Sequence, residues 1–473
     1  MVVMKFGGTS VADQAAIERL MAIVAGQRTK DMAAGETAPG PVVVVSALSG
    51  VTDKLLGVAA DAGAGDGAAA RQTLRDLRAR HMTVSEVIGD EALRTAARAD
   101  IDREFDELER IVGALGVLRE VSPRWFDTIA ATGEIVSSRI VAAALAAGGL
   151  HGAWVDARTV VVTSGDHQAA VPLFSETTAA LEGTVRPMLQ AGAIPVLGGF
   201  VGATTDGVTT TLGRGGSDFS GAIVGSCLHA AEIQIWTDVD GMLTADPRIV
   251  ARPHVVPHIS FGEASELAYF GAKVLHPATI QPAVALDIPV RILNSKRAEA
   301  PGTLITADRP ASDLALTALA SKKHVTVVNI TSTRMLMAHG FLRRLFEVFE
   351  RNKTAVDVVT TSEVSVSVTV DDRRRLPAIV EALSEFAEVE LEHDMAIVCA
   401  VGEGLHEEPR LVARVFDAVG DVPVKLVSQA ASRRNITFVI RETDVPVVLG
   451  RLHDAFFVAT SPATAPVTTG GRA

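Results

Sequence analysis

Lys5 closes a short apolar strand and is followed at once by Gly7-Gly8-Thr9-Ser10, with a helix start near Asp13. A glycine pair leading into a helix N-terminus turns backbone N–H groups outward, which suits an anion. The lysine precedes the glycines, so this is not a Walker A loop; a phosphate cradle and a plain strand-to-helix turn fit it equally. A second apolar run, Val42–Ser46, passes into Ala47-Leu48-Ser49-Gly50-Val51-Thr52. Capping by Ser49 or Thr52 explains that turn taken alone, yet two such turns can face one ligand across a parallel sheet.

The sharpest segment is Thr209-Thr210-Thr211-Leu212-Gly213-Arg214-Gly215-Gly216-Ser217-Asp218. It sets an arginine among three glycines at a helix start, where Arg214 can fork onto a carboxylate and Asp218 can orient a cation. After the strand Ile233–Trp236 comes Thr237-Asp238-Val239-Asp240-Gly241, continuing to Asp246-Pro247-Arg248. Carboxylates and a hydroxyl at a strand's C-terminal end suit a nucleotide's sugar, base edge or metal, although Asp-Gly and Asp-Pro also form ordinary turns. Lys273, in Phe270-Gly271-Ala272-Lys273-Val274-Leu275-His276-Pro277, either binds phosphate or complements the helix dipole.

Other patterns carry less. Gly63–Ala68 approximates a dinucleotide fingerprint without a preceding strand. His254 and His258 have i,i+4 spacing, but Pro253 and Pro257 argue against a zinc-binding helix, and no metal site is expected in the protein itself. No nucleophile elbow, CxxC or paired-carboxylate helix appears. The inventory that remains suits phosphoryl transfer, in which a protein chiefly aligns reactants and neutralises charge on the transferring oxygens.

These residues need a scaffold, and through residue 310 short β-branched runs alternate with long Ala-rich stretches. The runs Val42–Val45, Val160–Thr163, Ile194–Leu197 and Ile233–Trp236 predict strands of a mostly parallel α/β sheet with helices on both faces. Apolar spacings of three and four predict helices at Gln14–Ala25, Glu91–Leu115, Trp125–Ala147, Ser217–Ala231 and Glu263–Leu275. Thr29–Pro41 and Asp61–Gly67 read as surface insertions. Near Ala300–Ser312 the chain turns rich in Pro and polar residues, marking a boundary. Beyond it, two βαββα units in succession predict a pair of ferredoxin-like modules, with strands that include Val325–Ile330, Ala355–Thr360 and Val364–Val370 and a helix at Gly340–Arg351. The tail Thr460–Ala473 is expected to be disordered.

With 473 residues the chain has room for two to four domains. Its 44 Lys and Arg against 56 Asp and Glu give a net charge of −12, which disfavours nucleic acid as a partner. No run reaches the roughly 20 uninterrupted apolar residues that span a bilayer, so no membrane association is expected. Two cysteines in apolar runs and the opening MVVMKFGG lead to the expectation of a cytoplasmic protein.

Taken together, Lys5–Ser10 (KFGGTS), Thr209–Asp218 (TTTLGRGGSD), Thr237–Gly241 (TDVDG), Asp246–Arg248 (DPR) and Lys273–Pro277 (KVLHP) resemble the aspartate kinases, in order and with fitting spacing over essentially the whole chain. The resemblance, to the monofunctional, lysine-sensitive type, implies an amino-acid-kinase domain over 1–310, ACT modules of ferredoxin-like type over 313–392 and 393–458, and a tail over 459–473. It implies the reaction ATP plus L-aspartate to ADP plus 4-phospho-L-aspartate, with ATP and Mg2+. Lys5 would then contact the transferring phosphate, Asp218 organise the catalytic lysines and Lys273 neutralise ATP oxygens. Thr52 and Glu134 would hold the amino-acid end of aspartate, and Arg214, Gly215, Gly216 and Ser217 its carboxylate. Gly7, Gly8, Ser46, Thr237, Asp238, Arg248 and Val274 would complete the ATP site. Leu243 stands where relatives often place a Tyr in the nucleotide loop.

In the C-terminal half, Met335, Gly340, Phe341, Leu342, Val356, Asp357, Thr361, Ser362 and Glu363 fall in segments that resemble the effector site of the lysine-inhibited group, with Asp357 taking the effector's ammonium. Ala338 and Ala355 stand where such relatives can offer a hydroxyl. ACT modules usually pair side by side, which implies a homodimer or a dimer of dimers. A glutamate or uridylate kinase of the same fold would share the glycine turns but not the GRGGSD loop with its ACT tail. An amino-acid sensor without catalysis would have lost Lys5, Arg214 or Lys273.

Overall fold

The computed structural model describes all residues except 34, 36–39, 214, 272–276, 310–315, 333–338, 406, 408, 430–432 and 459–473. The chain divides into two compact units. The first comprises Met1–Met242, Pro257–Phe261 and Val274–Arg309; the second comprises Leu243–Val256, Gly262–Lys273 and the C-terminal part from Pro310.

In the first unit the strands are β1 (Val2–Phe6), β2 (Val42–Val45), β3 (Gly152–Val155), β4 (Ile194–Gly198), β5 (Val201–Ala203), β6 (Thr209–Thr211), β7 (Glu232–Thr237), β8 (His258–Ser260), β9 (Val290–Asn294) and β10 (Thr303–Thr306). Eight of them form one sheet in the order β3-β4-β2-β1-β7-β9-β10-β8, parallel except between β9 and β10. β5 and β6 form a separate antiparallel hairpin. Strands such as β2, four consecutive buried valines, read as unbroken apolar runs because helices cover both faces of a parallel sheet.

The helices of this unit include α1 (Gln14–Ala33), α2 (Val51–Ala64), α3 (Gly67–Val84), α4 (Glu91–Leu118), α5 (Pro123–Ala147), α6 (Ala157–Val160), α7 (Phe174–Gln190) and α8 (Gly216–Cys227), of which α5, α7 and α8 pack on the sheet. Asp66 and Asp90 accept hydrogen bonds from the amides of Ala69 and Leu93, capping α3 and α4; such caps contribute about 1 kcal/mol each. α5 is long and apolar enough to cross a membrane by composition, but it is mostly buried and runs through the core.

Several sequence expectations are corrected here. Asp61–Gly67 is not a surface insertion: α2 runs through Asp61 to Ala64, Gly65 (φ +87°) closes it, and α3 starts two residues later. Gly63 serves close packing, since an added Cβ would meet Val121 Cγ2 at 2.9 Å. Val160–Thr163 is not a strand, because Asp156 caps a short helical turn that ends at Val160. Only single bridges follow, from Val162 to Ala203 and Thr163 to Pro172. α1 extends to Ala33, into the segment read as an insertion. The helix expected to end at Ala231 ends at Cys227, where Gly225 packs on Ile233. The helix expected over Glu263–Leu275 spans Phe261–Tyr269 instead: Phe270 and Gly271 (φ +117°) form a turn, and residues 272–275 lie outside the described set.

The second unit carries a six-stranded antiparallel sheet, ordered Val359–Thr361, Ser365–Val370, Ala318–Thr331, Glu388–Val401, Asn435–Arg441, Leu426–Ser428. Its two longest strands serve both halves: Ala318–Lys322 pair with Val401–Ile397, whereas Val327–Thr331 pair with Glu392–Glu388. Separate apolar cores lie under the two halves, one around Val328, Leu345 and Ile379 and the other around Val398, Leu411 and Phe438. The strand expected over Ala355–Thr360 is shorter, Val359–Thr361. The expected disordered tail lies outside the described residues.

Candidate active site

The carboxyl ends of β1, β2 and β7 lie side by side and the turns that follow them are knitted together. The amide of Gly7 donates to Trp236 O (2.9 Å), that of Ser46 to Phe6 O (3.0 Å), and that of Ser49 to Gly8 O (3.1 Å). A Cβ on Gly8 would meet Ala47 O at 3.1 Å, so the two turns approach as closely as backbones can. Ligands of open α/β sheets sit at this end, where the chain leaves a central strand for both sides.

Lys5 is buried, and its Nζ lies 2.7 Å from Asp218 Oδ1 in the first turn of α8. The approach depends on Gly221, whose added Cβ would stand 3.1 Å from Lys5 Cβ. α8 is entered through Gly213 (φ +75°) and Gly215 (φ +72°), left-handed positions that explain the glycines of that loop.

Glu134, on α5, is 2% exposed. Gly133 brings its helix turn against the β2 turn, because a Cβ there would fall 2.9 Å from Ala47 Cβ. Burial pushes the Glu134 carboxyl up to about 8, with hydrogen bonds from backbone amides, Ala47 first, and the charge of Lys5 pulling the other way. Its Oε2 has no hydrogen-bond partner among the described residues.

Two cavities meet here. One, of about 810 Å3, is lined by Lys5, Ser46, Thr52, Glu134, Gly215, Gly216, Ser217 and Asp218 together with Asp53, Asp127, Gln168, Phe200 and Thr211. The other, of about 410 Å3, is lined by Gly7, Gly8, Thr9, Ser49, Thr237 and Asp238, and shares Ser46, Thr52, Asp53, Glu134 and Ser217 with the first. A further groove of about 840 Å3, lined by Val2, Arg19, Gln234 and Arg291 among others, holds none of the residues singled out in the sequence.

Twelve expected site residues therefore gather around two adjoining pockets. Arg248 belongs to the second unit and forks onto Asp246, with Nε–Oδ1 2.9 Å and Nη2–Oδ2 2.6 Å. Arg214, Lys273, Val274, Met335 and Ala338 lie outside the described residues. Sequence reasoning missed Asp53, Asp127, Gln168 and Phe200, and gave Thr211 no role of its own although it lies in the Thr209–Asp218 segment. Asp127 shares the buried face of α5 with Thr132, Glu134, Ser137 and Ser138, so its type alone did not set it apart.

Of the expected effector residues, Gly340 (φ +85°) opens the helix Phe341–Arg351, Phe341 packs edge-on against Phe386, and Leu342 is exposed. Val356 packs at the rim of the first core. Thr361 ends its strand, the Ser362 hydroxyl bonds that of Ser365 at 2.7 Å, and Glu363 is exposed. Asp357 is engaged from within the same unit, by Lys322 and by the Tyr269 hydroxyl at 2.8 Å.

Residues 1–294 match the amino acid kinase family model and residues 398–456 an ACT domain model. The chain is 35% identical to aspartokinase 1, chloroplastic, of Arabidopsis thaliana over 96% of its length and 80% of the relative's. It is 33% identical to the lysine-sensitive aspartokinase 3 of Escherichia coli, covering 96% and 99%. The chain belongs to the aspartokinase family. Its fold matches the crystal structure of E. coli aspartokinase III in complex with aspartate and ADP, with a TM-score of 0.80 at 32% identity over 97% and 100% of the two chains. The same enzyme in complex with lysine and aspartate matches at a TM-score of 0.80 and 33% identity. The amino-acid-kinase fold followed by ACT modules, expected from the motifs, is thus the fold of this aspartokinase.

Proposed function

We propose that the two adjoining cavities are where this chain, an aspartate kinase, transfers the γ-phosphoryl of ATP to the side-chain carboxylate of L-aspartate, giving ADP and 4-phospho-L-aspartate. The observation that carries the reading is Lys5, whose ammonium is fixed by Asp218 in a cavity that shares a wall with a second, glycine-walled one. In such transfers catalysis is mostly positioning and charge stabilisation. The acceptor carboxylate is already ionised at neutral pH, so no general base is required.

The turn at Gly7 and Gly8, with Thr237 and Asp238, would receive ATP, and Thr52, Glu134 and Gly215–Ser217 the amino acid. The ammonium of aspartate supplies the donor that Glu134 Oε2 lacks and draws the buried carboxyl into its charged form. The nucleotide and substrate roles of Arg214, Arg248, Lys273 and Val274 rest on the family resemblance. Among the described residues no group of three or more His, Cys, Asp or Glu forms a metal cage. Mg2+ would arrive with ATP, held largely by phosphate oxygens as is usual for this ion, and would neutralise their charge.

The relative solved with lysine and aspartate supports lysine as an effector, and we assign its site to the ACT modules. Side-by-side ACT pairing would cover the sheet edges at Val359–Thr361 and Leu426–Ser428 in a homodimer or dimer of dimers. We divide the chain at 310 and 392 into kinase domain and two modules. Two buried free thiols, Cys227 and Cys399, fit a cytoplasmic protein.

The test is ADP release from Mg-ATP with L-aspartate, L-glutamate as control, and lysine and threonine titrated singly and together. Aspartate-dependent turnover stopped by lysine is expected. Turnover on glutamate alone overturns the substrate, and turnover on aspartate untouched by lysine overturns the effector.

A further inference from the structure

Asp127, the fifth residue of α5, is 1% exposed, and among the described residues the partners of its carboxylate come from other segments of the first unit. Its Oδ1 accepts from Thr211 Oγ1 at 2.6 Å and its Oδ2 from His167 Nδ1 at 2.6 Å. The Gln168 amide reaches both oxygens, at 3.1 and 3.2 Å. A carboxylate accepts only, so these contacts make Nδ1 the protonated nitrogen of the imidazole.

The segments it ties together wall the Lys5 cavity. Gln168 holds φ +68°, a conformation that non-glycine residues rarely adopt without being held there. Its carbonyl backs onto Gly213, where an added Cβ would come within 2.9 Å. Ala170 N donates to Thr211 O (3.0 Å) and Leu212 N to Phe200 O (3.0 Å), and Phe200 (φ +65°) leaves no room for a side chain on Gly216. Gln168, Phe200, Thr211, Gly213 and Gly216 all line the cavity.

Building on the aspartate kinase reading, we propose that Asp127 and His167 form a positioning pair that holds Gln168 and the Thr211–Gly213 strand end in register, and thereby set the affinity of the amino-acid pocket. Neither residue is assigned a part in phosphoryl transfer. His167 is only partly buried, so its loss leaves the α5 core intact.

The test compares full-length wild type, His167→Ala, His167→Asn and Asp127→Asn by steady-state kinetics and by amide hydrogen exchange. Losing a hydrogen bond to a carboxylate predicts a rise of about tenfold in KM for aspartate in His167→Ala. Turnover number and KM for ATP should move far less, and exchange over 163–172 and 209–213 should quicken. His167→Asn, whose amide can take the place of Nδ1–H, should restore most of the affinity. Asp127→Asn, which replaces an acceptor by a donor, should exceed His167→Ala. An unchanged KM and unchanged exchange in His167→Ala overturn the proposal, as does an equal loss in all kinetic constants. Exchange reads the loops without turnover, so a wild type inactive on aspartate would fault the assigned reaction while the exchange result still decides the positioning role.

Discussion

The Lys322 ammonium lies 2.8 Å from Asp357 Oδ1 and 2.9 Å from Oδ2, so the carboxylate expected to receive an effector's ammonium already holds one from the chain itself. Tyr269 donates to the same Oδ1 at 2.8 Å, and Lys322 also reaches Asp371 at 2.8 Å. Burial opposes the charge on Lys322, but the two carboxylates outweigh it and hold the amine above its ordinary range.

An effector amine received at Asp357, as proposed, would have to compete with Lys322. Lys322→Met is expected to lower the lysine concentration for half-inhibition several-fold, while Asp357→Ala relieves inhibition with little loss of uninhibited turnover. Inhibition curves unchanged in both variants would remove Asp357 from the effector site.

Lys5→Ala should reduce phosphoryl transfer by about a hundred- to a thousandfold, the scale of a lost charge stabiliser at a reacting group. Circular dichroism should remain that of the wild type. Near-normal turnover would take Lys5 out of the mechanism.

Glu134 gives a pH signature whose sign follows from its raised value of about 8. Below that pH the free enzyme carries it neutral, and the substrate's ammonium favours the charged form. Aspartate binding should therefore release a proton, and KM for aspartate should fall as pH rises toward 8. Calorimetry in buffers of different ionisation heat measures the release; proton uptake would contradict it. Glu134→Gln should abolish the linkage and raise KM by up to about a hundredfold.

A stability prediction concerns His81, buried on α3, whose pKa is lowered to about 4 chiefly by burial. A depressed folded value means that the unfolded chain takes up the proton first. Stability should therefore be lost as pH falls from about 6.5 toward 4. Nδ1 bonds Leu77 O at 2.7 Å while Nε2 has no partner among the described residues. His81→Phe should flatten the fall in melting temperature over that window; an unchanged slope would assign it to other groups.

The glycine-flanked motifs were readable in the sequence because each solves a local problem. A strand must end, the backbone must turn through left-handed angles at Gly213 and Gly215, and a helix must begin with its amides exposed. The parallel sheet was readable for a similar reason, since unbroken valine runs that alternate with helical stretches fit strands covered on both faces. Where local signals conflicted, the reading failed. The glycines near Asp61–Gly67 suggested a loop, whereas Gly63 is small because Val121 packs against it.

The sequence by itself determined the chemistry that is available: Lys5, the hydroxyl turns, Glu134, the glycine loop and the ACT-like tail. Only the tertiary structure decided which groups share a cavity, that Glu134 is buried enough to be neutral, and that Lys322 already fills Asp357. The physical reason is range. Backbone turns depend on neighbours a few residues away, but the Asp127–Thr211 bond joins residues 84 positions apart. Burial, which sets a carboxyl's charge, is a property of everything packed around it.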